Sequence, residues 1–201
     1  CDRRQRQMCI RDSYYPARQL REDQYQFAWY AYGKDYHDLM KTRLTSLQAY
    51  ISAHSPLPLQ SRVFCDTAPV LERYWAYRAG LGWIGKNTQL IIPHAGSCFF
   101  LGELFLDMEV DEYDQPQKNR CGNCTRCIQA CPTKALEAPF LLNSRRCLSY
   151  LTIENRDAIP LLEGKKMGNK IYGCDECQKA CPWNKSVSYT HLRAHETSLH
   201  L

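Results

Sequence analysis

Cys121-Gly-Asn-Cys124-Thr-Arg-Cys127-Ile-Gln-Ala-Cys131-Pro132 carries three cysteines at intervals of three, then a fourth after three residues with proline behind it. That spacing is the bacterial ferredoxin run. Three thiolates hold one [4Fe–4S] cluster, and the fourth, turned aside at the proline, reaches another. A second, altered copy follows at Cys174-Asp-Glu-Cys177-Gln-Lys-Ala-Cys181-Pro182. Its expected leading cysteine is replaced by Ile171, and Cys147 is the available substitute upstream. The count then closes on two four-thiolate clusters. The crossing pattern gives Cys121, Cys124, Cys127 and Cys181 to the first, and Cys131, Cys147, Cys174 and Cys177 to the second. Disulfides fit poorly, since cysteines so closely spaced pair badly and no secretion signal is visible. Structural zinc accommodates the Cys-x2-Cys pairs but leaves the two Cys-x3-Cys-Pro endings unexplained. Helical turns such as 128–136 are expected to pack the clusters.

Outward from the cysteines the composition changes. Residues 109–120 are polar and acidic with Pro116, and a domain break is placed near 115. Upstream, Met40, Leu44, Leu47 and Ile51 recur at helical spacing and predict an amphipathic helix over 34–53. Ser55-Pro56-Leu57-Pro58 ends it, and Arg62–Cys65 reads as a short strand. Asp66-Thr67-Ala68-Pro69 is a helix-start signal, predicting a helix that Asp66 caps and that runs to Ala79. Strands are expected at Gln89–Ile92 and Ser97–Leu106, around a turn at Pro93–Gly96. Cys65 and Cys98 read as small buried hydrophobes, His37 and His94 as surface or turn residues. Glu103 and Tyr113 give no signal.

Gly80-Leu81-Gly82-Trp83-Ile84-Gly85-Lys86 matches G-x-G-x-x-G in letters. A dinucleotide loop needs a strand before it and a helix after it, and here the order is reversed. The spacing to Lys86 also fails for a P-loop. The glycines instead permit close backbone approach, either to something flat or within a tight turn packed by Trp83.

The 201 residues carry 12 cysteines and a formal charge of +5, which permits a nucleic-acid partner without requiring one. No apolar run is long enough to span a bilayer. Residues 1–13, with Cys1 and Cys9, and residues 186–201, with His191, His195 and His200, lack the features of the rest. They read as a non-native leader and tail, set aside from fold reasoning. What remains is a domain over 14–115 and a cysteine-rich domain over 116–185, expected to be a piece of a longer protein.

Longer matches go beyond these rules. Cys65–Arg73, Arg78–Asn87, Gly96–Glu103, Asn143–Glu154 and Met167–Asn184 resemble, in order, the tRNA epoxyqueuosine reductase family. The resemblance implies an α+β chain: a cobalamin-binding α/β domain followed by a two-cluster ferredoxin-like domain. It implies an oxidoreductase that reduces epoxyqueuosine to queuosine at the tRNA wobble position, with cobalamin and two [4Fe–4S] clusters. Asp66 falls where the family has its proton donor, and Gly80, Gly82, Trp83, Gly85 and Lys86 fall where the corrin is approached. Further expectations are a small reductant protein as partner, a monomeric state and a cytoplasmic location without membrane attachment. Two other classes fit the cysteines: a bare iron–sulfur electron carrier, and a cobalamin-dependent reductive dehalogenase.

Overall fold

The structure, a computed structural model, describes residues 5–8, 24–32 and 34–185. The tail 186–201, with its three histidines, lies outside the described residues, as do most of residues 1–13. Two compact units emerge. The first comprises, among the described residues, 5–8, 34–84 and 99–119; the second comprises 24–32, 85–98 and 120–185. One crossing, at 119/120, lies near the break expected at 115. Those at 84/85 and 98/99 place residues 85–98 with the cysteines.

The first unit is built on β1 (Gln5–Met8), α1 (Tyr36–His54), β3 (Ser61–Phe64), α2 (Glu72–Arg78), β4 (Trp83–Ile84) and β6 (Gly102–Leu106). Strand β6 is central in an antiparallel sheet ordered β1-β6-β3. Gln5 stands opposite Phe105, and Ser61 opposite Leu106. Residues 5–8, set aside as leader on sequence grounds, are thus an edge strand. Helix α1 starts at Asp35, whose carboxylate accepts from His37 N at 2.9 Å. Its expected apolar stripe faces the sheet: Leu44 is fully buried with Leu104 and Leu106, and Leu47, Ile51 and Val63 pack around them. Burying a leucine this completely is worth about 1.5–3 kcal/mol. Gly102 is required there, because a Cβ would stand 2.7 Å from Leu44 Cδ1 and 2.9 Å from Met40 Cε.

Two expectations are corrected in this unit. Helix α2 begins at Glu72, with Leu71 rather than Asp66 at its N-cap. Asp66 sits at φ 56°, left-handed backbone, and its carboxylate is engaged elsewhere. The strand foreseen over 97–106 is confined to 102–106, because Ser97 is drawn into the second unit. As expected, a helix precedes the glycines at 80–85, which is the wrong context for a dinucleotide loop.

The second unit contains β2 (Gln26–Phe27), β5 (Leu90–Ile91), α3 (Arg126–Ala130), β7 (Leu136–Ala138), β8 (Leu141–Leu142), α4 (Leu148–Ile153), α5 (Leu161–Lys165), β9 (Lys170–Tyr172), α6 (Glu176–Lys179) and α7 (Pro182–Lys185). β2 runs parallel to β9, and β7 pairs antiparallel with β8. The turn expected at 93–96 is present, closed by Ile92 and Gly96 exchanging both hydrogen bonds. The helical stretch anticipated over 128–136 is shorter: α3 ends at Ala130, just before the Cys131-Pro132 step. Each cysteine copy thus contributes one short helix, α3 or α6, and the two pack together.

Candidate functional site

All ten cysteines among the described residues are free thiols. Burial pushes the Cys181 thiol above the usual range, and the neighbouring Cys121 and Cys124 add to this. Cys127 is likewise raised by burial, with Cys181 and Cys121 pushing the same way. In the other group, burial drives Cys177 far upward, reinforced by Cys174, Cys147, Cys127 and Cys131. Cys174 is pushed up to about 11, chiefly by burial, with Cys147 among the contributors. Cys131 goes the other way. Burial opposes its ionisation, but backbone N–H groups and the Thr133 hydroxyl outweigh it, and Ala135 N donates to its Sγ at 3.2 Å.

The charge of Cys181 is thus felt with those of Cys121 and Cys124, and that of Cys177 with those of Cys174, Cys147, Cys127 and Cys131. Several half-buried thiols facing one another resist becoming thiolates unless positive charge is supplied. Among the described residues, no three metal-ligating side chains converge on a single ion. A four-iron cluster makes no such demand, because each of its thiolates binds a different iron.

Cys131, Cys147, Cys174 and Cys177 line one cavity of about 200 Å³. Loop geometry holds the cysteine-bearing segments in place. Lys86 Nζ donates to the carbonyls of Gly122 at 2.6 Å and Cys124 at 3.0 Å, pinning the first Cys-x2-Cys loop. Arg146, just before Cys147, donates to Thr133 O at 2.8 Å and lies 3.6 Å from the Glu163 carboxylate. Behind Cys181, Asn184 is buried and fastens the segment to Ser97 and to Gln178 O.

In the first unit Asp66 is exposed. Its Oδ2 accepts from Tyr36 Oη at 2.5 Å and lies 3.6 Å from His37 Nε2. Its N–H donates to Glu72 Oε1 at 2.5 Å, and burial raises the Glu72 carboxyl pKa. Tyr36 is itself held by stacking on Phe100, 4.0 Å between ring centroids. A non-glycine residue in left-handed backbone, tied by partners on both sides, is strained in a way that functional sites often store. Cys65 is buried as expected, whereas Cys98 is only half-buried and its thiol points to Gln178 Oε1 at 3.5 Å.

The loop residues fill their own space. A Cβ on Gly80 would stand 2.7 Å from Asp114 Cβ, and one on Gly85 would stand 2.6 Å from Ile91 Cδ1. Gly82 and Trp83 are buried, and Lys86 is occupied with the cysteine loop. Sequence reasoning overlooked His37 and Tyr36 beside Asp66. It also overlooked Asn87 and Asp175 beside the cysteine cavity. No local pattern marks these residues; the fold brings them from distant positions.

Comparison with known proteins adds the following. Residues 120–184 match the family of 4Fe-4S double cluster binding domains, and residues 2–67 match epoxyqueuosine reductase QueG, DUF1730. An epoxyqueuosine reductase of Xanthomonas campestris is 54% identical over 163 residues, covering 81% of this chain and 45% of that protein. The Escherichia coli epoxyqueuosine reductase is 48% identical over 167 residues, covering 83% and 43% respectively. Two solved structures each cover 90% of this chain and 48% of their own. One, an epoxyqueuosine reductase with an epoxyqueuosine-modified tRNA-Tyr stem loop, has a TM-score of 0.80 at 33% identity. The other, from Bacillus subtilis, has a TM-score of 0.79 at 32% identity and a catalytic aspartate loop swung out of its active site. The chain spans about half the length of the curated relatives it matches.

Proposed function

The chain belongs to the epoxyqueuosine reductase family, and from that premise we propose that it takes part in reducing epoxyqueuosine to queuosine at the wobble position of tRNA. The observation that carries this reading is the cysteine arrangement. Four thiols drawn from three separated segments line one cavity, within a region matching a double-cluster domain. On this reading Cys121, Cys124, Cys127 and Cys181 hold one [4Fe–4S] cluster, and Cys131, Cys147, Cys174 and Cys177 hold the other. The donor set fits: soft thiolates select iron–sulfur clusters, and iron supplies the positive charge that these mutually opposed thiols need. When bound, the clusters supply single electrons.

The net reaction takes two electrons and two protons and releases the epoxide oxygen as water. An oxygen leaving as alkoxide leaves poorly, so a positioned acid contributes about 10²–10⁴-fold. Asp66 is the proposed acid. Its carboxyl is held at Oδ2 by Tyr36 and stands near His37, and a related enzyme carries an aspartate on a mobile catalytic loop. A carboxyl that keeps its proton near neutrality needs a largely water-excluded site, whereas Asp66 is exposed in this structure. The proton-holding geometry is therefore one that substrate binding must complete.

Cobalamin belongs to the proposal on family resemblance alone. Within the segment Gly80–Lys86, Gly80 packs against Asp114 and Gly85 against Ile91. A cytoplasmic, monomeric protein served by a small reductant protein completes the reading. Among the described residues no helix is long and apolar enough to cross a membrane.

The test is anaerobic reconstitution of the chain, with iron and sulfide counted per chain, followed by assay on an epoxyqueuosine-containing tRNA stem loop. Eight irons are expected from two four-iron clusters. Asp66→Asn should keep the iron and lower turnover by about 10²–10⁴. Zinc in place of iron would defeat the cluster assignment, and undiminished turnover in Asp66→Asn would defeat the acid role.

A further inference from the structure

Asn87 closes the Gly-rich segment and lines the same cavity as Cys131, Cys147, Cys174 and Cys177. Its side chain is 3% exposed. The orientation of its amide is fixed by neighbours. The oxygen accepts from Gln89 N at 3.3 Å, so the nitrogen faces the other way. Gly85 lets the amide sit where it does, because a Cβ at Gly85 would stand 2.8 Å from Asn87 Oδ1. The Nδ2 group meets no acceptor among the described residues. A buried amide donor without a partner is costly, and folded proteins seldom keep one without a use.

The cavity supplies that use once a cluster is present, since cluster and thiolate sulfurs are acceptors. Asp175, also at the cavity wall, already accepts from Trp29 N at 2.8 Å. We infer that Asn87 Nδ2 donates a hydrogen bond to a sulfur of the cluster held by Cys131, Cys147, Cys174 and Cys177, and that this bond raises the reduction potential of that cluster relative to the other. Reduction adds negative charge to the sulfurs, so a donor favours the reduced form more than the oxidised form. In a buried site the difference is amplified by the low dielectric. The inference rests on the two-cluster reading above. Asn87 acts as a positioning and tuning residue and touches no substrate.

The experiment is an EPR-monitored redox titration of the reconstituted full chain, wild type against Asn87→Leu and Asn87→Asp. Leucine removes the donor at similar volume, and aspartate keeps the oxygen that receives Gln89 N. With full iron content, Asn87→Leu should make one cluster about tenfold less reduced at a fixed potential, a shift of about 59 mV for a one-electron couple. The other cluster should not move. Two unmoved potentials in a fully loaded variant would overturn the inference. Should both variants lose iron, pulsed EPR on reduced wild-type protein labelled with 15N-asparagine decides instead. A coupling to an amide nitrogen supports the bond, and its absence refutes it. Wild-type protein that takes up no iron would fell the two-cluster reading itself and this inference with it, which the iron count distinguishes at the outset.

Discussion

Replacing Asn184 by alanine should be among the more damaging single changes in the cysteine-rich unit. Its Oδ1 receives Ser97 N at 2.7 Å, and its Nδ2 donates to Ser97 Oγ at 3.0 Å and to Gln178 O at 2.8 Å. Alanine removes all three bonds and strands the buried Ser97 N–H, whereas Gln178 O keeps its bond from Cys181 N at 3.1 Å. At about 1–3 kcal/mol for the unmet N–H and about 0.5–1.5 kcal/mol for each of the other two bonds, with relaxation and water entry recovering part, the loss is about 3 kcal/mol. Ser97→Ala removes only the hydroxyl and should cost about 1 kcal/mol. The two residues share a bond, so the double variant should fall short of the sum by about 1 kcal/mol. Anaerobic urea unfolding followed by circular dichroism, with iron counted in parallel, reads this directly. For a slope of about 1.5–2 kcal/mol per molar urea, the Asn184→Ala midpoint drops by about 1.5–2 M. A drop below about 0.3 M, or strict additivity in the double variant, would refute the reasoning.

Gly173→Ala should destabilise the same unit by more than 1 kcal/mol. The residue sits at φ 74°, and a Cβ would stand 2.4 Å from Ala28 Cβ; melting temperatures of the two proteins check it. Cys65 gives a pH signature. Burial, aided by the Glu72, Asp66 and Glu103 carboxylates, raises its thiol from 9.0 to about 12. The folded state thus favours the protonated form, and that contribution to stability is intact below pH 9 and lost as pH rises towards 12. Comparing urea midpoints at pH 8 and pH 11 should show a steeper alkaline loss in wild type than in Cys65→Ala. Parallel losses would show that Cys65 is not the group responsible.

How far the sequence discloses this molecule depends on the range over which each feature is decided. The cysteine spacings and the α1 stripe are local, and both appear where the sequence places them. Asp66-Thr67-Ala68-Pro69 reads as a helix start by the same local rules, yet the helix begins six residues after Asp66, at Glu72. The capping carboxylate is claimed by Tyr36, 30 residues away, and tertiary demand overrides the local signal. Ser97 leaves its expected strand for the same kind of reason, bound by Asn184. Asn87 and Gly85 could not be assigned from the glycine motif alone, because their meaning lies in a cavity whose cysteines come 44 or more residues later.

The long reach of these contacts bears on how the protein is made. The bond from Trp29 N to Asp175 closes a span of 146 residues, and the clasp from Ser97 to Asn184 closes 87. At roughly 5–20 residues per second, a ribosome takes about 7–30 s to supply the second partner of the longer pair. In the last part of that span, for about 2.5–10 s at the same rate, Cys121, Cys124, Cys127 and Cys131 exist without the full set of Cys174, Cys177 and Cys181, so the thiols are incomplete and open to oxidants. On the proposed two-cluster assignment, cluster insertion follows translation of the last cysteines rather than accompanying it. The yield of iron-loaded protein should accordingly depend on oxygen tension during synthesis more than on iron supply afterwards.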